Sequence, residues 1–176
     1  MTMQGVDWEE SLSRPSQAMS TLALVLGAWV ILLSLVNITI GAYSPGFKVM
    51  WIGFISGDAA ASNVAHDGPG IVIDDIVFAL LGVVLLALGS MGMKKCFDGG
   101  VMEWFRELPN GPVFSSLMSS ENGIRRTMAS WMICLGVLFY LSWSSMNTTW
   151  VDPGVYAVMV IMVSFGCGIH MLEDAA

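Results

Sequence analysis

The sequence predicts an all-α integral membrane protein with four spanning helices, and three observations predict it. The composition is 55% hydrophobic against 12% charged, with a mean hydropathy of +0.71, where a soluble surface needs about a quarter of its residues charged. Four long apolar runs, residues 19–42, 71–93, 127–146 and 154–172, each approach the ~20 residues that cross a ~30 Å hydrocarbon core. The charges gather between these runs, and none stands in the middle of one. Strands of a membrane barrel would alternate apolar and polar residues, which these uninterrupted runs do not.

Residues 1–18 carry Asp7, Glu9 and Glu10 ahead of the first run, which is too long for a signal-peptide core and lacks a basic leader; it is expected to stay as a helix. The loop at 43–70 holds Phe47-Lys48-Val49-Met50-Trp51-Ile52-Gly53-Phe54-Ile55, apolar but too short to span, which suits a segment at the headgroup level or tucked against the bundle. The loop at 94–126 holds Val101, Trp104, Phe105 and Leu108 at helical spacing, opposite Glu103, Arg106 and Glu107. It predicts a short amphipathic helix that ends at Pro109-Asn110-Gly111-Pro112 and serves as an interfacial anchor or a docking face for a partner subunit. The short loop 147–153 and the tail 173–176 complete the chain.

Orientation follows from the basic residues. Lys94, Lys95, Arg106, Arg125 and Arg126 lie between the second and third runs and Arg14 precedes the first, whereas Lys48 alone lies on the other side. The positive-inside rule then places both termini and the 94–126 loop in the cytoplasm. Trp131, Trp143 and Trp150 fall near membrane boundaries, as an aromatic belt requires, while Trp29 falls well inside the first run. Cys96, Cys134 and Cys167 form no CxxC and no disulfide framework, and a net charge of −7 offers no basic surface to nucleic acid.

The two halves carry a modest internal duplication. Asp74-Asp75-Ile76-Val77-Phe78-Ala79 aligns with Asp152-Pro153-Gly154-Val155-Tyr156-Ala157, and Leu26-Gly27 with Leu33-Ser34 parallels Leu135-Gly136 with Leu141-Ser142-Trp143. Two tandem helical hairpins result, each starting and ending inside. This unit, Leu-Gly, then a serine near the helix end, an acidic turn and an apolar helix, resembles the bacterial and archaeal SPW-repeat membrane proteins. The family's Ser-Pro-Trp is replaced here by Ser34-Leu35-Val36 and by Ser142-Trp143. The resemblance covers the four helices and implies a small four-helix protein of a prokaryotic cytoplasmic membrane, with no defined activity to transfer.

Three groups of residues are candidates for chemistry or assembly. His66, Asp67, Asp74 and Asp75 lie within ten residues, across a flexible Gly68-Pro69-Gly70, and offer oxygen and imidazole ligands to a divalent metal; the simpler reading is that the aspartates cap a helix, as Asp152 does ahead of Pro153. His170 near the end of the fourth run could ligate haem or a chlorin, against the simpler reading of an interfacial histidine favoured at a helix C-terminus. Ala79, Gly82 and Gly89 on one helix, and Ala157, Ser164 and Gly168 on another, form faces for close helix packing, within the chain or against another subunit. The 14 methionines read as adaptable packing.

The expectation is a non-catalytic accessory or structural subunit of a larger membrane complex, partnered by lipid and by other membrane subunits or copies of itself. It requires no cofactor. The alternatives are a small oligomeric transporter or channel with Asp74 and Asp75 at its outer entrance, and a metal- or pigment-binding subunit using His170 or the His66 group.

Overall fold

The computed structural model describes residues 16–57, 63–65, 68–121 and 123–175. Asp7, Glu9, Glu10, Arg14, His66 and Asp67 lie outside the described residues. Among the described residues four helices are long and apolar enough to cross a membrane: α1 (Gln17–Thr39), α3 (Ile73–Cys96), α6 (Ile124–Asn147) and α7 (Pro153–Ala175). They coincide with the four apolar runs but reach further into the charged flanks. Lys94, Lys95, Arg125, Arg126, Glu173 and Asp174 are all helical. At 24 residues, α3 and α6 are roughly 36 Å long, enough to carry those charges past the hydrocarbon into the headgroups.

The first helix instead stops three residues before the apolar run does. Ile40 and Gly41 both donate their N–H to Val36 O, and Gly41 turns the chain at φ 83°. A side chain there would strike Phe47 O, because a Cβ would sit 2.5 Å from it. That position therefore demands glycine.

Between α1 and α3 the chain forms β1 (Phe47–Val49), the short α2 (Trp51–Ser56) and β2 (Asn63–Ala65). The strands pair antiparallel, Phe47 with Ala65 and Val49 with Asn63, adding a two-stranded sheet to an otherwise helical chain. Of the two expectations for this apolar segment, tucking against the protein is what Val49 and Trp51 do, since both are buried. Between α3 and α6 lie α4 (Val101–Glu107), a 3-10 turn (Leu108–Asn110) and α5 (Pro112–Met118). The amphipathic helix is present as α4, and the proline break hosts a second helix the periodicity did not reveal.

The described chain divides into two compact units, one running to Leu32 and resuming over Ile76–Arg106, the other formed by Leu33–Asp75 and everything from Glu107. In the first, α1 and α3 approach until their backbones touch. A Cβ added at Gly27 would lie 2.7 Å from Leu86 N, and one at Gly89 2.7 Å from Leu24 N. Gly82 faces the side chains of Val30 and Ile31. Close approach of this kind replaces the hydrophobic drive that lipid abolishes. Outward from the contact, Leu22, Val25, Leu80, Val84 and Leu88 are bare, as lipid-facing residues should be.

In the second unit α6 pairs with α7 around Ala129, Tyr140, Val155 and Gly166, all buried. Gly166 brings α7 so near that a Cβ would meet Ala129 O at 2.6 Å, and Gly136 packs on Met162. The helix α5 rests on α6 with Ser116 fully buried.

Candidate functional site

The most densely connected polar group lies in the second unit, where the last turns of α1 meet the start of α3. Asn37 is fully buried near the end of an apolar run and uses all four of its hydrogen-bonding positions. Its Oδ1 accepts from Val49 N–H (2.7 Å) and Ala42 N–H (3.0 Å), and its Nδ2 donates to Val49 O (2.9 Å) and Asp75 Oδ1 (2.7 Å). The amide therefore pairs with both backbone groups of Val49, as a neighbouring strand would, and locks β1 against α1. Trp51 Nε1 donates to the same Asp75 Oδ1 at 2.9 Å.

The other carboxylate oxygen of Asp75 accepts Val72 N–H at 3.2 Å, an acidic third residue reaching back to the residue that precedes the helix. Asp75 thus caps α3, as its position at a helix start suggested, and also anchors two side chains from elsewhere in the unit. Fully buried, it does not line an entrance; Asp74 is half-buried, with one oxygen 3.5 Å from Ile52 N and the other without a partner among the described residues. Lys48, read as the lone cation on this side, is buried and donates Nζ to Gly70 O. The Asn37-Ile38-Thr39 sequon is closed to glycosylation by the burial of its asparagine.

With respect to a metal, no three His, Cys, Asp or Glu side chains converge among the described residues. His66 and Asp67 fall outside them, and the oxygens of Asp75 face N–H donors.

At the opposite ends of α6 and α7, Ser130 Oγ and His170 Nε2 are 2.9 Å apart, both residues buried in the helix contact. His170 Nδ1 has no partner among the described residues. The imidazole points at α6 and not outward, so axial ligation of haem or a chlorin through Nε2 would have to displace Ser130. Arg126 and Asp174 close the same end at 2.7 Å, with Arg125 and Glu173 at 3.5 Å. These pairs are partly exposed and fasten the helix ends only weakly.

The small-residue faces have different fates. Gly82 and Gly89 are used within the chain, against α1. Ala157, Ser164 and Gly168 lie away from the contact with α6, which is made by Gly166 and His170 on the other side of α7. Ser164 and Gly168, with Phe165, Ile169 and Leu172, form an open, mostly apolar patch on the outer surface of α7. A Cβ at Gly168 would meet nothing within 4 Å.

The anchoring roles of Asn37, Trp51 and Ser130 were not legible in the sequence. The one available signal for Asn37 was an amide within an apolar run, where a polar group is costly unless paired. Compared with family models, with curated proteins and with solved structures, the chain matches none.

Proposed function

We propose that this protein is a non-catalytic membrane subunit that packs against a spanning helix of a partner through the outer face of α7. The observation that carries the reading is the open small-residue face at Ser164 and Gly168. These two residues, four apart, have the small-xxx-small spacing that lets helix backbones approach in lipid, and the gap above Gly168 is unfilled. Gly27, Gly82 and Gly89 bring α1 and α3 into close contact in the same way, which supports reading the α7 face as a packing surface.

The polar groups support the same reading. Asn37, Asp75, Trp51, Ser130 and Tyr140 spend their hydrogen bonds on internal contacts that hold helix ends and loops together. The proposed orientation puts the 94–126 loop and both termini in the cytoplasm of a prokaryotic cell, on the strength of Lys94, Lys95, Arg106, Arg125 and Arg126. Two related inside-to-inside hairpins, and the resemblance to SPW-repeat proteins, belong to this proposal.

The test is purification from the native membrane in mild detergent, followed by native mass measurement. The wild type should run as a defined complex heavier than its own 19.0 kDa, and Gly168→Leu should return the chain alone. A wild-type chain that purifies alone, or a complex indifferent to Gly168→Leu, would count against this reading.

A further inference from the structure

We infer that α4 is a membrane-surface helix whose apolar face is embedded in the headgroup and upper acyl region of the same leaflet from which α3 emerges. Cys96 ends α3 and Val101 begins α4, so the connecting residues span at most about 17 Å. The connection is in fact folded tightly. Phe97 N–H donates to Met93 O and Gly100 N–H to Phe97 O, and Gly100 adopts φ 60°. A Cβ there would lie 3.1 Å from Lys94 Cγ, so α4 starts at the level of the lysines that mark the end of the hydrocarbon crossing. Glu103 Oε2 accepts Gly99 N–H at 2.7 Å and fixes the first turn of α4 to that connection.

At that depth the faces of α4 matter. At 100° per residue, Val101, Met102, Trp104 and Phe105 fall on one arc, and Glu103, Arg106 and Glu107 on the other. Val101 and Trp104 are half-buried, while Met102 is 64% and Phe105 58% exposed. A bare apolar pair one turn apart, on a helix held beside a membrane boundary, has a natural occupant in the bilayer itself. On α3 itself Met91 is likewise exposed, at 63%. On the opposite arc Arg106 and Glu107 are exposed, and their opposite charges assign the attachment to apolar contact and not to anionic headgroups. Within the second unit α5 repeats the pattern: Ser116 is buried on α6, while Phe114 and Met118, four apart, are 51% and 90% exposed.

The experiment is site-directed spin labelling of the full chain in phosphatidylcholine nanodiscs, in a background with Cys96, Cys134 and Cys167 replaced by serine. Labels at Met102→Cys and Phe105→Cys should collide more with oxygen than with a water-soluble nickel chelate, and labels at Arg106→Cys and Glu107→Cys should show the reverse. Nickel access at all four positions would place α4 in water and overturn the inference. Shielding of positions 102 and 105 from both reagents would also overturn it, by showing that protein covers them. Should the serine background misfold, the wild-type chain photolabelled by a diazirine phosphatidylcholine gives the same decision. Adducts on Met102 or Phe105 support the inference, and adducts confined to the spanning helices overturn it.

Discussion

The second unit contains two connections that do the same job in opposite ways. Residues 40–72 join α1 to α3, and residues 148–152 join α6 to α7. The short connection is closed by local means. Thr148 ends α6 in the left-handed region at φ 51°, and Asp152 Oδ1 accepts the N–H groups of Gly154 (2.8 Å) and Val155 (3.0 Å) ahead of Pro153 at the first helical position. The long connection is closed from a distance, by Asn37 and Asp75, which stand 38 residues apart and meet within one buried cluster. The two are stitched together where Trp150 donates its N–H to Ala42 O at 2.8 Å, beneath the Tyr140 hydroxyl that donates to Trp150 O at 2.6 Å. A short loop can be specified by its own residues. A long one needs a polar anchor inside the fold, and in lipid such an anchor must satisfy every one of its groups.

Breaking the distant anchor should cost most. Asn37→Leu strands the N–H and C=O of Val49, the N–H of Ala42 and one donor to Asp75, and is expected to destabilise by about 4 kcal/mol, at ~1–3 kcal/mol for each buried orphan. Unfolding in mixed detergent micelles, followed by circular dichroism, measures it. Trp51→Phe keeps an aromatic ring but removes one donor to a carboxylate, and should cost about 2 kcal/mol in the same assay. In the short connection, Asp152→Ala removes a single cap and should cost about 1 kcal/mol. Thr148→Gly runs the other way. It relieves a β-branched residue held at positive φ and should leave stability unchanged or raise it by about 0.5 kcal/mol. If Asn37→Leu and Asp152→Ala cost the same, the contrast between distant and local closure fails.

The same contrast explains how much was legible in the sequence. The four spanning helices could be read because bilayer thickness converts directly into run length, and Asp152-Pro153 could be read because a cap and its helix are adjacent. Asp75 was half legible. Its capping bond to Val72 is local, but its bonds to Asn37 and Trp51 depend on how the 40–72 connection folds back. Ser130 and His170 are 40 residues apart, and neither carries a mark of the other. The small residues show a further limit. Gly166 and Gly168 are two apart and so point about 200° away from each other on a helix, and composition cannot say which of the two meets α6. Structure assigns the contact to Gly166 and leaves Gly168 on the open face.

That open face of α7 can be probed directly. Phe165 belongs to the patch and is 64% exposed, so a photoreactive phenylalanine analogue placed there reports on whatever occupies the outer surface of α7 in the intact native membrane. One discrete protein adduct is expected on irradiation, lost when Gly168→Leu is introduced alongside it. Adducts to lipid alone, with no protein product, would show that no partner helix packs on this face.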